Sequence, residues 1–265
     1  MFIVQNYLLA IVFCFITMLC WGALGNTQKL AGKTWRYELF YWDYVIGILL
    51  FSIISVFTLG SIGSEGRSFV PDLIQADCGN IGSAFLGGII FNAANILLSI
   101  SIAVAGLSVA FLVGIGPALV IGVFINYAGQ KLGNPYLLFG GVLLVTVAIV
   151  FNALAYNKRA QSSTKVSSKG ILLSLIAGLL MSFFYRFVAS SMDLANSVNP
   201  EIGKMTPYTA MFIFSCGIFV SNFLFNTILM KHPIKGEQIN YLEYFKGNLK
   251  VHLNRSIRLT YLGVG

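Results

Sequence analysis

From Gly79 to Gln130 the chain carries no Asp, Glu, Lys, Arg or His. Fifty-two residues without such a side chain leave few ways to fold. A helix that spans a bilayer needs about 20 mainly apolar residues, so this stretch is long enough to cross twice. In hydrocarbon every backbone N–H and C=O must be satisfied within the segment, which restricts it to helix. The stretch also places Asn92, Asn95 and Asn126 among Leu, Ile, Val, Phe and Gly. It is expected to form a tight helical hairpin in lipid with amides inside it, a combination that suits a transport path better than a reaction centre.

The rest of the chain agrees. It is 57% hydrophobic and 10% charged, against about 25% charged in a soluble domain. The apolar runs are continuous, which disfavours a membrane β-barrel with its alternating strands. The fold class is therefore an all-α polytopic membrane protein. Seven spans are expected: Tyr7–Gly25, Phe40–Gly60, Ser83–Ala105, Leu107–Gly129, Tyr136–Tyr156, Gly170–Met192 and Tyr208–Met230. Gly106 separates the third from the fourth, which predicts antiparallel neighbours. Pro135 and Pro207 sit where proline fits a first helical turn. The first run lacks a basic leader and a small-residue cleavage site, so it is expected to be a retained helix.

The net charge of +8 does not indicate nucleic-acid binding, because the basic residues gather in loops and form no compact face. With the N-terminus outside, the inner loops hold thirteen Lys and Arg, including Lys158, Arg159, Lys165 and Lys169, and the outer loops hold only Arg67, Lys131 and Lys204. The positive-inside rule then places the 158–169 loop in the cytoplasm. The tail is unusual. Tyr241–Lys250 reads as an amphipathic connector, but Val251–Arg258 is too basic to span, and the expectation is a truncated or frame-shifted end. Cys14, Cys20, Cys78 and Cys216 show no pairing or metal spacing. No HExxH, GxSxG or P-loop pattern occurs, so neither an enzyme nor a cofactor is expected.

Several residues could carry transport chemistry. Gly88, Asn92, Asn95 and Ser99 share one face of the third span. That face is either a substrate-contacting stripe, since amides both donate and accept, or helix–helix glue of the kind small and polar residues supply in membranes. On the fourth span Gly114, Ala118, Gly122 and Asn126 form a small-residue ridge suited to packing, with Asn126 as a further substrate contact. Gly116-Pro117 predicts a kink. Asp43 opens the second span; it can couple a proton to transport or form an interfacial pair with Arg36 or Lys33. Glu38 is expected in a solvated loop. Trp21 is placed near the inner end of the first span, in an aromatic belt or against substrate. Tyr185-Arg186 lies inside the sixth span, where Arg186 can reach outward, pair with Asp193 or contact substrate. Asn222 and Asn226 repeat the amide spacing on the seventh.

The segments Tyr41-Trp42-Asp43-Tyr44, Thr58-Leu59-Gly60, Gly87-Gly88-Ile89, Asn95, Ala105-Gly106-Leu107-Ser108-Val109, Val120-Ile121-Gly122, Asn126-Tyr127 and Leu138–Val142 resemble the ureide permease family of the drug/metabolite transporter superfamily. The likeness is strongest from about Trp21 to Tyr156 and looser over the rest of the chain. It implies ten helices in two inverted five-helix repeats. The first repeat would fill 1–157, a cytoplasmic connection 158–169, and an incomplete second repeat 170–265. It also implies a secondary active permease for a small polar solute, a ureide or nucleobase-like heterocycle, driven by protons. Exporters and sugar permeases of the same fold are alternatives, as is an inactive or non-transporting fragment. Plant members carry a Walker-A-like central loop; Asn157–Lys165 has no glycine-rich phosphate loop, so nucleotide binding is not carried over. The expected partners are the solute and the lipid bilayer.

Overall fold

The structure is a computed structural model that describes residues 1–4, 6–31, 35–63, 65–129, 131, 133–159, 167–233 and 237–246. Lys33, most of the central loop and the unusual tail from residue 247 lie outside the described residues. The helices are α1 (Tyr7–Ala31), α2 (Tyr37–Phe57), α3 (Phe69–Gln75), α4 (Cys78–Ala105), α5 (Leu107–Ala110), α6 (Gly116–Gly129), α7 (Pro135–Arg159), α8 (Ser168–Ser190), α9 (Pro207–Lys231) and α10 (Tyr241–Lys246). Among the described residues seven helices are long and apolar enough to cross a membrane, and they coincide with the seven expected spans. The protein is an all-α polytopic membrane protein.

Local chemistry sets the breaks. Gly106 ends α4 at φ 88°, a backbone region that other residues rarely enter, and α5 starts at the next residue. Asn134 accepts the Tyr136 N–H through Oδ1 at 2.9 Å, and Pro135 opens α7. Pro117 cannot donate to the carbonyl of Val113. The fourth span accommodates this with a π-helical turn, Phe111–Ile115, in which the Gly116 N–H reaches back to the Phe111 carbonyl. The expected kink is thus a π-bulge, a known way of absorbing proline within a helix.

The centre of the bundle is α4. It packs most extensively on α8 and α9, while α2 covers α9 and α6 lies on α8. The expectation of a hairpin between the third and fourth spans is corrected here. Beyond the Gly106 turn α4 and α6 scarcely touch, because α8 packs against both. At their closest points these contacts are backbone on backbone. A Cβ added at Gly88 would lie 2.1 Å from the Phe214 carbonyl oxygen, and one at Gly217 would lie 2.2 Å from that of Phe85. On the other side Gly114 and Gly178 meet in the same way, with 2.3 Å from a Gly178 Cβ to the Gly114 oxygen. The ridge of Gly114, Ala118 and Gly122 therefore serves packing on α8. α1 and α7 are peripheral, with large apolar side chains exposed along their length.

One end of the bundle is closed by buried polar chemistry. Asp72 on α3 is fully buried and lies 3.2 Å from Arg67 Nε. It also accepts both the N–H and the hydroxyl of Thr206. Arg67 in turn donates to the carbonyls of Pro200 and Lys204. The segment before α4 is thereby tied to the one before α9.

Gly88→Leu is expected to separate α4 from α9. Overpacking of this kind costs about 3 kcal/mol or more where backbone must move. Thermal unfolding in detergent should show a clear drop for Gly88→Leu, whereas Gly141→Leu on α7, where an added Cβ meets nothing within 4 Å, should leave the transition unchanged.

Candidate solute-binding site

The amide stripe of α4 faces the interior of the bundle. Asn92 is fully buried and fully engaged. It donates to the Ile218 carbonyl at 3.2 Å and to Ser221 Oγ at 2.9 Å, and it accepts the Tyr41 hydroxyl at 2.8 Å. Asn95 donates to the Tyr44 hydroxyl at 3.2 Å. The Ser99 carbonyl accepts from Gln28 of α1 at 3.4 Å. These bonds join α4 to α2, α9 and α1, which is the geometry of interhelical glue. On α9, Asn226 donates to the Glu38 carbonyl at 2.8 Å. The buried amide of Asn222 has no hydrogen-bond partner among the described residues.

A different set of expected residues shares a cavity. A space of about 400 Å³ opens between α1, α6, α7 and α8, within the range typical of small-molecule sites. Trp21, Asn126, Tyr185 and Arg186 all line it, whereas Asn92, Asn95 and Ser99 do not. Trp21 is in this wall because α1 continues as helix to Ala31, which puts the indole within the span and not at its end. Tyr127, Phe184 and Ser182 complete the wall where its chemistry matters. Sequence reasoning missed Ser182. The available signal was its position four residues after Gly178, on the face that meets the α6 ridge.

The polar groups of the cavity differ in how far they are satisfied. Ser182 donates to carbonyls of Ala118 and Gly178. Asn126 donates to the Gly122 carbonyl at 2.8 Å, one turn back. Its Oδ1 is buried and accepts from nothing among the described residues. A buried amide oxygen without a donor costs about 1–3 kcal/mol, so this atom is a prepared acceptor.

Arg186 does not pair with Asp193. That carboxylate instead accepts the backbone N–H groups of Ala195, Asn196 and Glu201 and shapes the turn after α8. A local bond to three amides satisfies it without any cation. A second space of about 320 Å³ adjoins the first, lined by Lys131, Asp193, Glu201 and Lys204, and Leu194 borders both.

Asp43 lies elsewhere, at the opposite end of α2 from the Arg67–Asp72 closure. Its carboxylate accepts the Trp35 indole N–H at 3.1 Å and the Tyr244 hydroxyl at 2.8 Å. The connector helix α10 is thereby docked against the start of α2, together with Leu39, Trp42, Met230 and Ile239. Burial, followed by the bond to Asp43 and its negative charge, pushes the Tyr244 phenol above its ordinary range. Arg36 pairs with Glu38 at 3.0 Å. Glu38 is buried and not solvated as expected, because α2 begins at Tyr37 and carries it into the α9 interface.

The ureide permease family model matches residues 40–169. The chain is 23% identical to Ureide permease 2 of Arabidopsis thaliana over 88% of its own length and 72% of the relative's. It is 23% identical to Ureide permease 1 of the same plant, covering 82% and 69%. Against Probable ureide permease A3 of Vigna unguiculata it is 23% identical, covering 88% and 77%. No solved structure matches. The matched segment holds Asp43 and Asn126 but ends before Tyr185 and Arg186.

If Asn92 is glue, Asn92→Ala should destabilise the bundle by about 1–2 kcal/mol, the scale of interhelical hydrogen bonds in membranes. Unfolding in detergent would report the loss. Apparent solute affinity should stay at the wild-type value.

Proposed function

We propose that this relative of the ureide permeases is a secondary active permease whose solute occupies the cavity between α1, α6, α7 and α8. Similarity to a transporter family and seven apolar helices among the described residues support an integral membrane transporter of small solutes. The solute class and the coupling are the steps beyond that. The observation that carries the reading is the unpaired Oδ1 of Asn126 in an otherwise mainly apolar cavity.

That lining suits a flat nitrogen heterocycle or acyl urea. The rings of Trp21, Tyr127, Phe184 and Tyr185 offer faces and edges for a planar solute. A ureide or pyrimidinedione alternates N–H donors with C=O acceptors. Asn126 Oδ1 accepts one N–H, and the Arg186 guanidinium donates to a carbonyl. Such pairing discriminates strongly, since a solute lacking the N–H leaves the amide oxygen empty. The π-bulge at the start of the cavity-lining helix supports the same reading, because broken helices in transporters cluster at substrate sites. Asp43 is the proton-coupling group, with the N-terminus outside and α10 on the cytoplasmic side. Protonation of Asp43 removes an acceptor from Trp35 and Tyr244 and so loosens α10 from α2.

Uptake of uracil or hydantoin into proteoliposomes under an imposed pH gradient tests this. Asn126→Ala should raise KM by about tenfold, one lost hydrogen bond in a dry site. Asp43→Asn should remove the dependence on the gradient while leaving solute exchange at equilibrium. An unchanged KM for Asn126→Ala would place the solute elsewhere.

A further inference from the structure

Resting on that reading, we propose that Arg186 makes the cavity selective for solutes bearing an oxyanion beside the flat ring. The chemistry is a carboxylate. The starting point is charge. A guanidinium cannot be deprotonated at any accessible pH, and Arg186 lies within the membrane-spanning helix α8, four residues before its end. Basic groups at such positions normally find an acid or a carbonyl. Among the described residues Arg186 has neither an ion pair nor a hydrogen bond; the ion pairs there are Arg36–Glu38 and Arg67–Asp72. No Asp or Glu lines the cavity. The loop acids Asp193 and Glu201 line the adjoining space, and Asp193 is already held by three backbone amides.

The position of the guanidinium is built into the fold. A Cβ at Gly129 would lie 1.9 Å from Arg186 Nη1, so the guanidinium rests directly on the Gly129 backbone and a larger residue would make it shift. Gly129 is the last residue of α6. The guanidinium therefore rests at the carboxyl end of a helix, where the terminal carbonyls carry roughly half a negative charge. That holds the group in place without neutralising it. The remaining positive charge faces a cavity of ring edges and aliphatic side chains, in which a charge–charge contact is weakly screened. An oxyanion is the solute feature that satisfies it, and the planar fork suits two coplanar oxygens.

The test compares uracil with orotate, which differs from it only by a ring carboxylate, in proteoliposomes containing the full chain. Wild-type protein should take up orotate, and orotate should inhibit uracil uptake at about one-tenth the concentration at which unlabelled uracil does, the scale of one charge-assisted contact. Arg186→Gln removes a carbonyl donor from uracil and a charged partner from orotate, so it should weaken both and lower orotate uptake about tenfold more than uracil uptake. Arg186→Lys keeps the charge without the fork and should retain part of the preference. Gly129→Ala, which displaces the guanidinium, should weaken orotate more than uracil. Uracil uptake with no orotate advantage in the wild type overturns the inference and leaves the permease reading standing. Equal loss of both solutes in Arg186→Gln and Arg186→Lys, with lowered thermal stability, overturns it by making Arg186 a structural group. If neither solute binds nor crosses, both readings fall.

Discussion

The closeness of α4 to its two neighbours governs the rest of the molecule. Lipid supplies no hydrophobic drive for one helix to leave it for another, so helices in a membrane associate by surface contact and hydrogen bonds. Gly88 against Gly217, and Gly114 against Gly178, remove the side chains that would hold backbones apart. The short distances that result let Asn92 reach Ile218 and Ser221 while Tyr41 reaches Asn92. The Ser52–Ser215 and Ser101–Ser174 hydroxyl pairs bridge α2 to α9 and α4 to α8 in the same way. Small residues and polar residues are thus parts of a single device. The first permits approach, and the second uses it.

The cavity follows from where that device stops. α8 occupies the position beside α4 that the fourth span would have filled in a simple hairpin. α6 is carried to the far side of α8, and the π-bulge ahead of Pro117 adjusts its path. The space then bounded by α6, α8 and the two peripheral helices is lined by rings, with a few polar groups left over. Asn126 and Arg186 stand on opposing helices there, each with bonding capacity that the protein does not use. Buried polar groups in folded proteins are almost always satisfied, so the Asn126 oxygen stands apart from Asn92, whose amide is engaged on both sides.

The sequence carried the spans, their ends and much of the packing. Runs of apolar residues bounded by Gly106, Pro135 and Pro207 determine helix in lipid whatever their neighbours are. The ridge of Gly114, Ala118 and Gly122 was legible as a packing face because small residues at spacing four have one strong use. The amide stripe of α4 was legible only as polar and inward-facing. Whether Asn92 meets a solute or a neighbouring helix depends on what α9 places opposite it, and periodicity along α4 holds no information about that. Glu38 and Trp21 show the same limit at helix ends: both were displaced from expectation because a helix began earlier or ended later than hydropathy suggested.

What the chain determines by itself is membrane insertion, the number of apolar helices among the described residues and the faces that must be polar or small. Those are local consequences of transfer free energy and backbone satisfaction, which act on each segment alone. The tertiary structure alone decided that Asn126 and Arg186 share a cavity that Asn92, Asn95 and Ser99 do not reach, and the proposed site rests on that. The reason is that satisfaction is a property of pairs. An amide and a guanidinium become binding groups when the folded chain brings them together and leaves them without partners.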